Sequence, residues 1–121
     1  MVDSNRSSTQ SARYLEHAEA LLARGDLPQA SEKYWGSVAQ ATKALAAERH
    51  WRHSTHRDLR RVLSRLYGTT NDREFLRLFA IAEALHANFY ENYLEGPVME
   101  AYAEDARRLV VMLNGQRNGK V

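Results

Sequence analysis

The residues best suited to chemistry in this 121-residue chain are gathered between Arg49 and Asp58. The run Arg49-His50-Trp51-Arg52-His53-Ser54-Thr55-His56-Arg57-Asp58 holds three of the five histidines, and Arg60 and Arg61 lie just beyond it. An imidazole exchanges protons near neutral pH, and a guanidinium makes paired hydrogen bonds to a phosphate. A histidine here can deprotonate a ribose 2′-hydroxyl while another group protonates the leaving oxygen, and an arginine can steady the charge that builds on the phosphate. The plain alternative is a solvated helix end, where Arg and His are favourable against the helix dipole and Trp51 is a lid over the core. His50, His53 and His56 are three apart, which would align them on a helix as metal ligands. Arg49, Arg52 and Arg57 would repel a cation there, and no carboxylate stands at ligand spacing, so a metal site is disfavoured.

Two further groups bear on the same chemistry. His86-Ala87-Asn88-Phe89-Tyr90 places polar tips beside aromatic rings, an arrangement that can stack a base and bond its edge. The bland counterpart is a set of interior residues with satisfied polar tips. Glu83 and His86 are also candidates to meet the histidine run across the fold. Arg57, Arg60, Arg61 and Arg65 would share the outer face of one helix and could follow a phosphate backbone, although such faces are commonly just solvated. No Gly-rich phosphate loop, Walker pattern or Ser-His-Asp arrangement is present, and no cofactor is expected.

The elements that must position these residues are helical. Ala, Leu, Glu and Arg dominate, proline occurs only at 28 and 97, and no stretch alternates with period two. The spacing predicts a first helix from about Ser8, with Ala12, Leu15, Ala18 and Leu22 on its inner face, ended by Gly25. A second runs from Pro28 to about His50 and is alanine-rich on several faces. Thr55, with Asp58 three residues on, caps a short third helix that Gly68 stops. A long fourth spans about Asp72 to Leu94, on a stripe of Phe75, Leu78, Phe79, Ala82, Leu85, Phe89 and Tyr93. A fifth follows Gly96-Pro97 and ends at Asn114-Gly115. Residues 1–8 read as a flexible arm, 9–114 as one domain and 115–121 as a polar tail. The fold class is all-α, an up-and-down bundle of four long helices and one short one.

Composition narrows the function classes. Net charge is only +2, so any nucleic-acid footprint must be local. There is no cysteine, which removes disulfides and thiol chemistry. No apolar run is long enough to span a bilayer, and the first residues lack a signal-peptide core, so a cytoplasmic location is expected.

Several segments resemble a known group. Tyr14-Leu15 through Ala18, Leu21-Leu22, Gly25-Asp26 and Gln29-Ala30-Ser31-Glu32-Lys33 is similar to the opening hairpin of HEPN proteins. Trp51-Arg52-His53, His56-Arg57-Asp58-Leu59 and Ala82-Glu83-Ala84-Leu85-His86-Ala87-Asn88-Phe89-Tyr90-Glu91-Asn92 resemble the PaREP family within that HEPN-like group. The resemblance implies a HEPN-like bundle, commonly a homodimer, that binds RNA or a nucleotide and in some members cleaves RNA without a metal. Catalytic members carry an Arg and a His a few residues apart, which Arg49 and His56 match. On that basis Arg49 and His56 are the expected catalytic pair, and Arg52, His53, Arg57, His86 and Asn88 the expected RNA- or nucleotide-binding residues. The alternative is a non-catalytic interaction module, such as the partner of a nucleotidyltransferase in a toxin–antitoxin-like pair. Tyr90, Tyr93, Leu94 and Tyr102 exceed what one small core needs and supply the expected dimer face.

Overall fold

A computed structural model describes residues 2–117 as five α-helices: α1 Val2–Ala23, α2 Leu27–Glu48, α3 His56–Thr70, α4 Glu74–Glu91 and α5 Gly96–Gly115. There is no strand among the described residues. None of these helices is long and apolar enough to cross a membrane. At 15 residues α3 is the short helix, as expected.

The organising element is α2, which touches all four other helices. Its alanines explain how one helix serves four neighbours: Ala30, Ala41, Ala44 and Ala46 are fully buried, and their small side chains let backbones come close. The turn into α2 is local chemistry. Gly25, at φ 79°, closes α1 with hydrogen bonds from Gly25 N to Leu22 O and from Asp26 N to Leu21 O, both 3.0 Å. The Asp26 carboxylate then accepts from Gln29 N, with Pro28 in the first turn of α2.

The start of α1 corrects the expected arm over residues 1–8. The helix already runs from Val2, and its buried face is Ser4, Ser11 and Ala18, seven residues apart. Ala12, expected inside, is exposed. Ser4 Oγ donates to Ala44 O at 3.0 Å; Ser11 Oγ donates to Ser37 O at 2.7 Å and Ser37 Oγ returns a bond to Ser11 O at 2.8 Å. These hydroxyls satisfy themselves on the facing backbone, so a polar sequence packs as closely as an apolar one. Gly36 marks the closest approach, where a Cβ would stand 3.0 Å from the Tyr14 ring. At the other end the expected tail at residue 115 is also tied down as far as Arg117. The Arg117 guanidinium donates to Glu48 Oε2 at 2.7 Å and to Ser4 Oγ at 3.0 Å. Residues 118–121 of that tail lie outside the described residues.

The expected stripe of α4 holds from Phe75 through Leu78, Phe79 and Ala82 to Leu85, all buried. It then departs from expectation: Phe89 is only partly buried and Tyr93 is exposed, while polar Asn88 is fully buried. The helix stops at Glu91 because Asn92, at φ 49°, turns the chain away, and Asn88 accepts from Tyr93 N and Leu94 N to seal that end. Leu94 and Tyr102, expected on a dimer face, belong to the core: Leu94 is buried and Tyr102 packs against it. On α5, Met99, Ala103, Ala106, Leu109, Val110 and Leu113 face inward, while Val98 faces solvent. α3 is sharply two-faced. Leu59, Val62, Leu63 and Leu66 are buried; Arg57, Arg60, Arg61 and Arg65 are exposed. Gly68 does not stop it; Asn71, at φ 58°, does.

Candidate functional site

The segment between α2 and α3 is built by two caps. Trp51 N donates to Ala46 O at 2.9 Å and His50 N to Ala47 O at 3.2 Å, with His50 at φ 59° taking the left-handed position usual for glycine. At the start of α3 the Thr55 hydroxyl accepts from Asp58 N at 3.0 Å, and the Asp58 carboxylate accepts from Thr55 N and Ser54 N. This is the expected Thr55/Asp58 capping box. The hydrogen bonds from the Thr55 and Ser54 amides, with the Arg52 charge nearby, hold the Asp58 carboxyl below the ordinary carboxylate range. Between these caps the chain is pinned, so the side chains around it have fixed places.

They fall into two clusters. The first surrounds Trp51. The Arg49 guanidinium carbon lies 5.2 Å and that of Arg65 4.9 Å from the indole. A hollow of about 230 Å³ opens beside it, lined by His50, Trp51, Arg52, Asp58, Arg61, Val62 and Arg65. Arg52, Arg61 and Arg65 make no salt bridge among the described residues. A more open depression of about 410 Å³, which shares His50, Trp51 and Arg52 with that hollow, is lined also by Asp3 and His53. His53 Nδ1 donates to Trp51 O at 2.9 Å, which orients its ring.

The second cluster stands over Trp35 of α2. The His56 ring centroid lies 4.9 Å and that of His86 5.0 Å from the Trp35 indole, and the two imidazoles are 6.2 Å apart. Each histidine has one nitrogen committed to a carboxylate: His56 Nε2 donates to Glu83 Oε2 at 2.8 Å, and His86 Nδ1 to Glu32 Oε1 at 2.9 Å. Arg60 Nε also donates to Glu83 Oε2, at 2.6 Å. A hollow of about 250 Å³ lined by His56, Arg57 and Arg60 opens alongside. Tyr90, largely exposed, packs its edge against His86.

The structure therefore redistributes the expected site. Glu83 and His86 do meet the histidine run across the bundle. Arg49 and His56 have different partners: the Arg49 guanidinium donates to Gln116 O at 2.7 Å beside Trp51, whereas His56 turns to Glu83 over Trp35. The left-handed turn at His50 stands between them. Arg52 and His53 go with the Trp51 cluster; Arg57 and His86 go with the Trp35 cluster. Asn88 joins neither. Its carboxamide is fully buried, with Nδ2 donating to Ser31 Oγ at 2.8 Å and Oδ1 accepting from Tyr93 N and Leu94 N, so it lies out of reach of a surface ligand. Trp35 and Glu32 were not singled out by the sequence. Their signal is geometric: Glu32 and Trp35 are three apart on α2, as Glu83 and His86 are on α4, so each helix face presents a carboxylate one turn from a ring.

The profile of the archaeal PaREP1/PaREP8 family matches residues 7–110. The chain belongs to that family. The matched span includes α2, α3 and α4 entire, and hence both clusters of this PaREP1/PaREP8 member. A protein from Sulfolobus solfataricus, solved as a crystal structure, is 28% identical with a TM-score of 0.80, covering 90% of this chain and 97% of its own. The helical order is thus seen in an experimental relative. No curated protein matches the chain.

Proposed function

We propose that this PaREP1/PaREP8 member is an RNA- or nucleotide-binding protein on a HEPN-like bundle, with its main phosphate contacts at the Trp51 hollow. The observation that carries the reading is the convergence of Arg52, Arg61 and Arg65 on one hollow against a single carboxylate, Asp58, which is already engaged by two backbone amides. Guanidiniums gathered this way repel one another, and a phosphate answers that charge with paired hydrogen bonds. Trp51 adds an aromatic edge on which a base can stack. The HEPN-like placement is supported by the up-and-down order of the long helices and by the residue runs that resemble that group. Tyr90, Tyr93 and Val98, exposed together around the α4–α5 turn, support a homodimer through that face.

The test is binding of a single-stranded RNA oligonucleotide across a salt series. Affinity that falls steeply with salt, and weakens in Arg61→Ala and Arg65→Ala, is the expected result. No binding even at low salt would sink the reading and favour the protein-interaction module, with a nucleotidyltransferase as the partner to try.

A further inference from the structure

The Trp51 indole carries two guanidiniums at once. The Arg65 guanidinium carbon lies 4.9 Å and that of Arg49 5.2 Å from the ring centre, where a stacked base would also have to lie. The two arginines are held differently. Arg49 is half-buried and donates to Gln116 O at 2.7 Å, and Gln116 N is itself bonded to Leu113 O, so that guanidinium is fixed to the end of α5. Arg65 is exposed, and among the described residues its guanidinium has no hydrogen-bond or ion-pair partner. Arg61 stands one turn before Arg65 on α3 and lines the same hollow. Like charges four residues apart on a helix repel, and the indole gives Arg65 a resting place that needs no acid. A phosphate in the hollow reverses that balance. It makes charge-assisted hydrogen bonds, which are stronger than a cation–ring contact at an exposed site, and it cancels the repulsion from Arg61.

We infer that Arg65 is a gate on the Trp51 ring, closed over the indole in the free protein and drawn off it by a phosphate, so that a base stacks on Trp51 only when a phosphate comes with it. The inference rests on the RNA- or nucleotide-binding reading above and adds a selectivity to it. A phosphorylated nucleotide opens its own stacking place, whereas a nucleoside or a bare aromatic ring must displace Arg65 with nothing to offer its charge. Arg49 stays on its carbonyl throughout, and Arg61 meets the phosphate together with Arg65. The coupling runs both ways: a phosphate that uncovers the ring raises affinity for a base, and a stacked base that keeps Arg65 off the ring raises affinity for the phosphate by the same factor.

The experiment measures adenosine, a base without a phosphate, on the full chain carrying Trp35→Phe, so that Trp51 alone reports by fluorescence quenching. The titration is run in inorganic phosphate and in chloride of equal ionic strength. Adenosine should bind about threefold tighter in phosphate, the size of an exposed cation–ring contact. With Arg65→Ala added, it should already bind about threefold tighter in chloride, and phosphate should add nothing. The same Arg65→Ala chain should bind a single-stranded RNA oligonucleotide about tenfold more weakly, the loss of a charge-assisted contact. A substitution that tightens a nucleoside and weakens a strand is the mark of the gate. A plain phosphate contact would leave adenosine unmoved, and a plain support for stacking would weaken both ligands. Arg61→Ala should leave adenosine binding in chloride unchanged. Adenosine bound no tighter in phosphate, or no tighter by Arg65→Ala, while the wild type binds RNA would overturn the gate and leave the binding reading standing. No RNA binding by the wild type would overturn both. Isothermal calorimetry on the chain with both tryptophans repeats the adenosine series, so the result does not depend on the folding of Trp35→Phe.

Discussion

Asn88 Nδ2 donates to Ser31 Oγ at 2.8 Å, fastening the last turn of α4 to α2 through a fully buried carboxamide. The other end of the amide accepts from Tyr93 N at 2.7 Å and Leu94 N at 2.8 Å, so one side chain closes a helix and docks it. Asn88→Ala takes their acceptor from the Tyr93 and Leu94 N–H groups, while the Ser31 hydroxyl keeps its bond to Leu27 O. The expected cost is on the order of 3 kcal/mol, since each orphaned buried group carries its own desolvation penalty. RNA affinity of the folded variant should be unchanged. Urea denaturation beside a binding titration checks both statements.

The capping box at Thr55 and Asp58 predicts an acid-sensitive α3. The folded-state carboxyl of Asp58 titrates below its ordinary value because the Thr55 and Ser54 amides donate to it. Its stabilisation is therefore complete above the unfolded value of about pH 4 and is lost as pH falls through the lower folded value. Thr55→Ala should cost about 1 kcal/mol at neutral pH, as for a lost N-cap. Asp58→Asn should be less stable than wild type at pH 7, with the gap closing as the wild-type carboxyl protonates. Thermal unfolding of both chains between pH 7 and pH 2 reads this directly.

A third prediction concerns the two chain ends. Glu48 of α2 holds Arg117 at 2.7 Å and Ser4 at 2.9 Å, and the paired charges are nearly buried, with side chains 10% and 12% accessible. Removing Arg117 takes a counter-charge from a carboxylate that has little solvent. Arg117→Ala should cost on the order of 3 kcal/mol, and Ser4→Ala about 1 kcal/mol for its hydrogen bonds. Were residues 4 and 117 in a loose arm and tail, neither substitution would move the midpoint of chemical denaturation.

What was legible in the sequence follows the range of the interaction. The Thr55/Asp58 cap, the Gly25 stop and the Phe75-to-Leu85 stripe are local or periodic, and all stand as read. Ser4, expected in a flexible arm, and Ser11, not singled out, are buried because their hydroxyls meet facing backbone oxygens of α2, which hydrophobicity does not reveal. Asn88 looked like a ligand for the same reason: a buried amide and an exposed one are spelled alike. The tie from Glu32 to His86 spans 54 positions, and only the register of α4 against α2 makes it. His56 meeting Glu83 was accessible as a candidate because both lie on faces pointed at the same seam. Arg49 turns to Gln116 O and not to His56, with the left-handed residue His50 between them.

The Trp51 hollow makes the last prediction quantitative. If Arg61 and Arg65 each neutralise one phosphate, each Ala substitution should lower the slope of log affinity against log salt by about 0.7 for a single strand. The loss should be alike for different base sequences, since a phosphate contact positions a strand and does not read it. Arg49→Ala separates structure from binding at the same ring. Its guanidinium is committed to Gln116 O, so its loss should lower stability more than the salt slope. The chain has two tryptophans, and Trp51 alone touches the hollow. Quenching of fluorescence on RNA addition should thus persist in Trp35→Phe and vanish in Trp51→Phe. Equal quenching in the two variants would place the strand elsewhere.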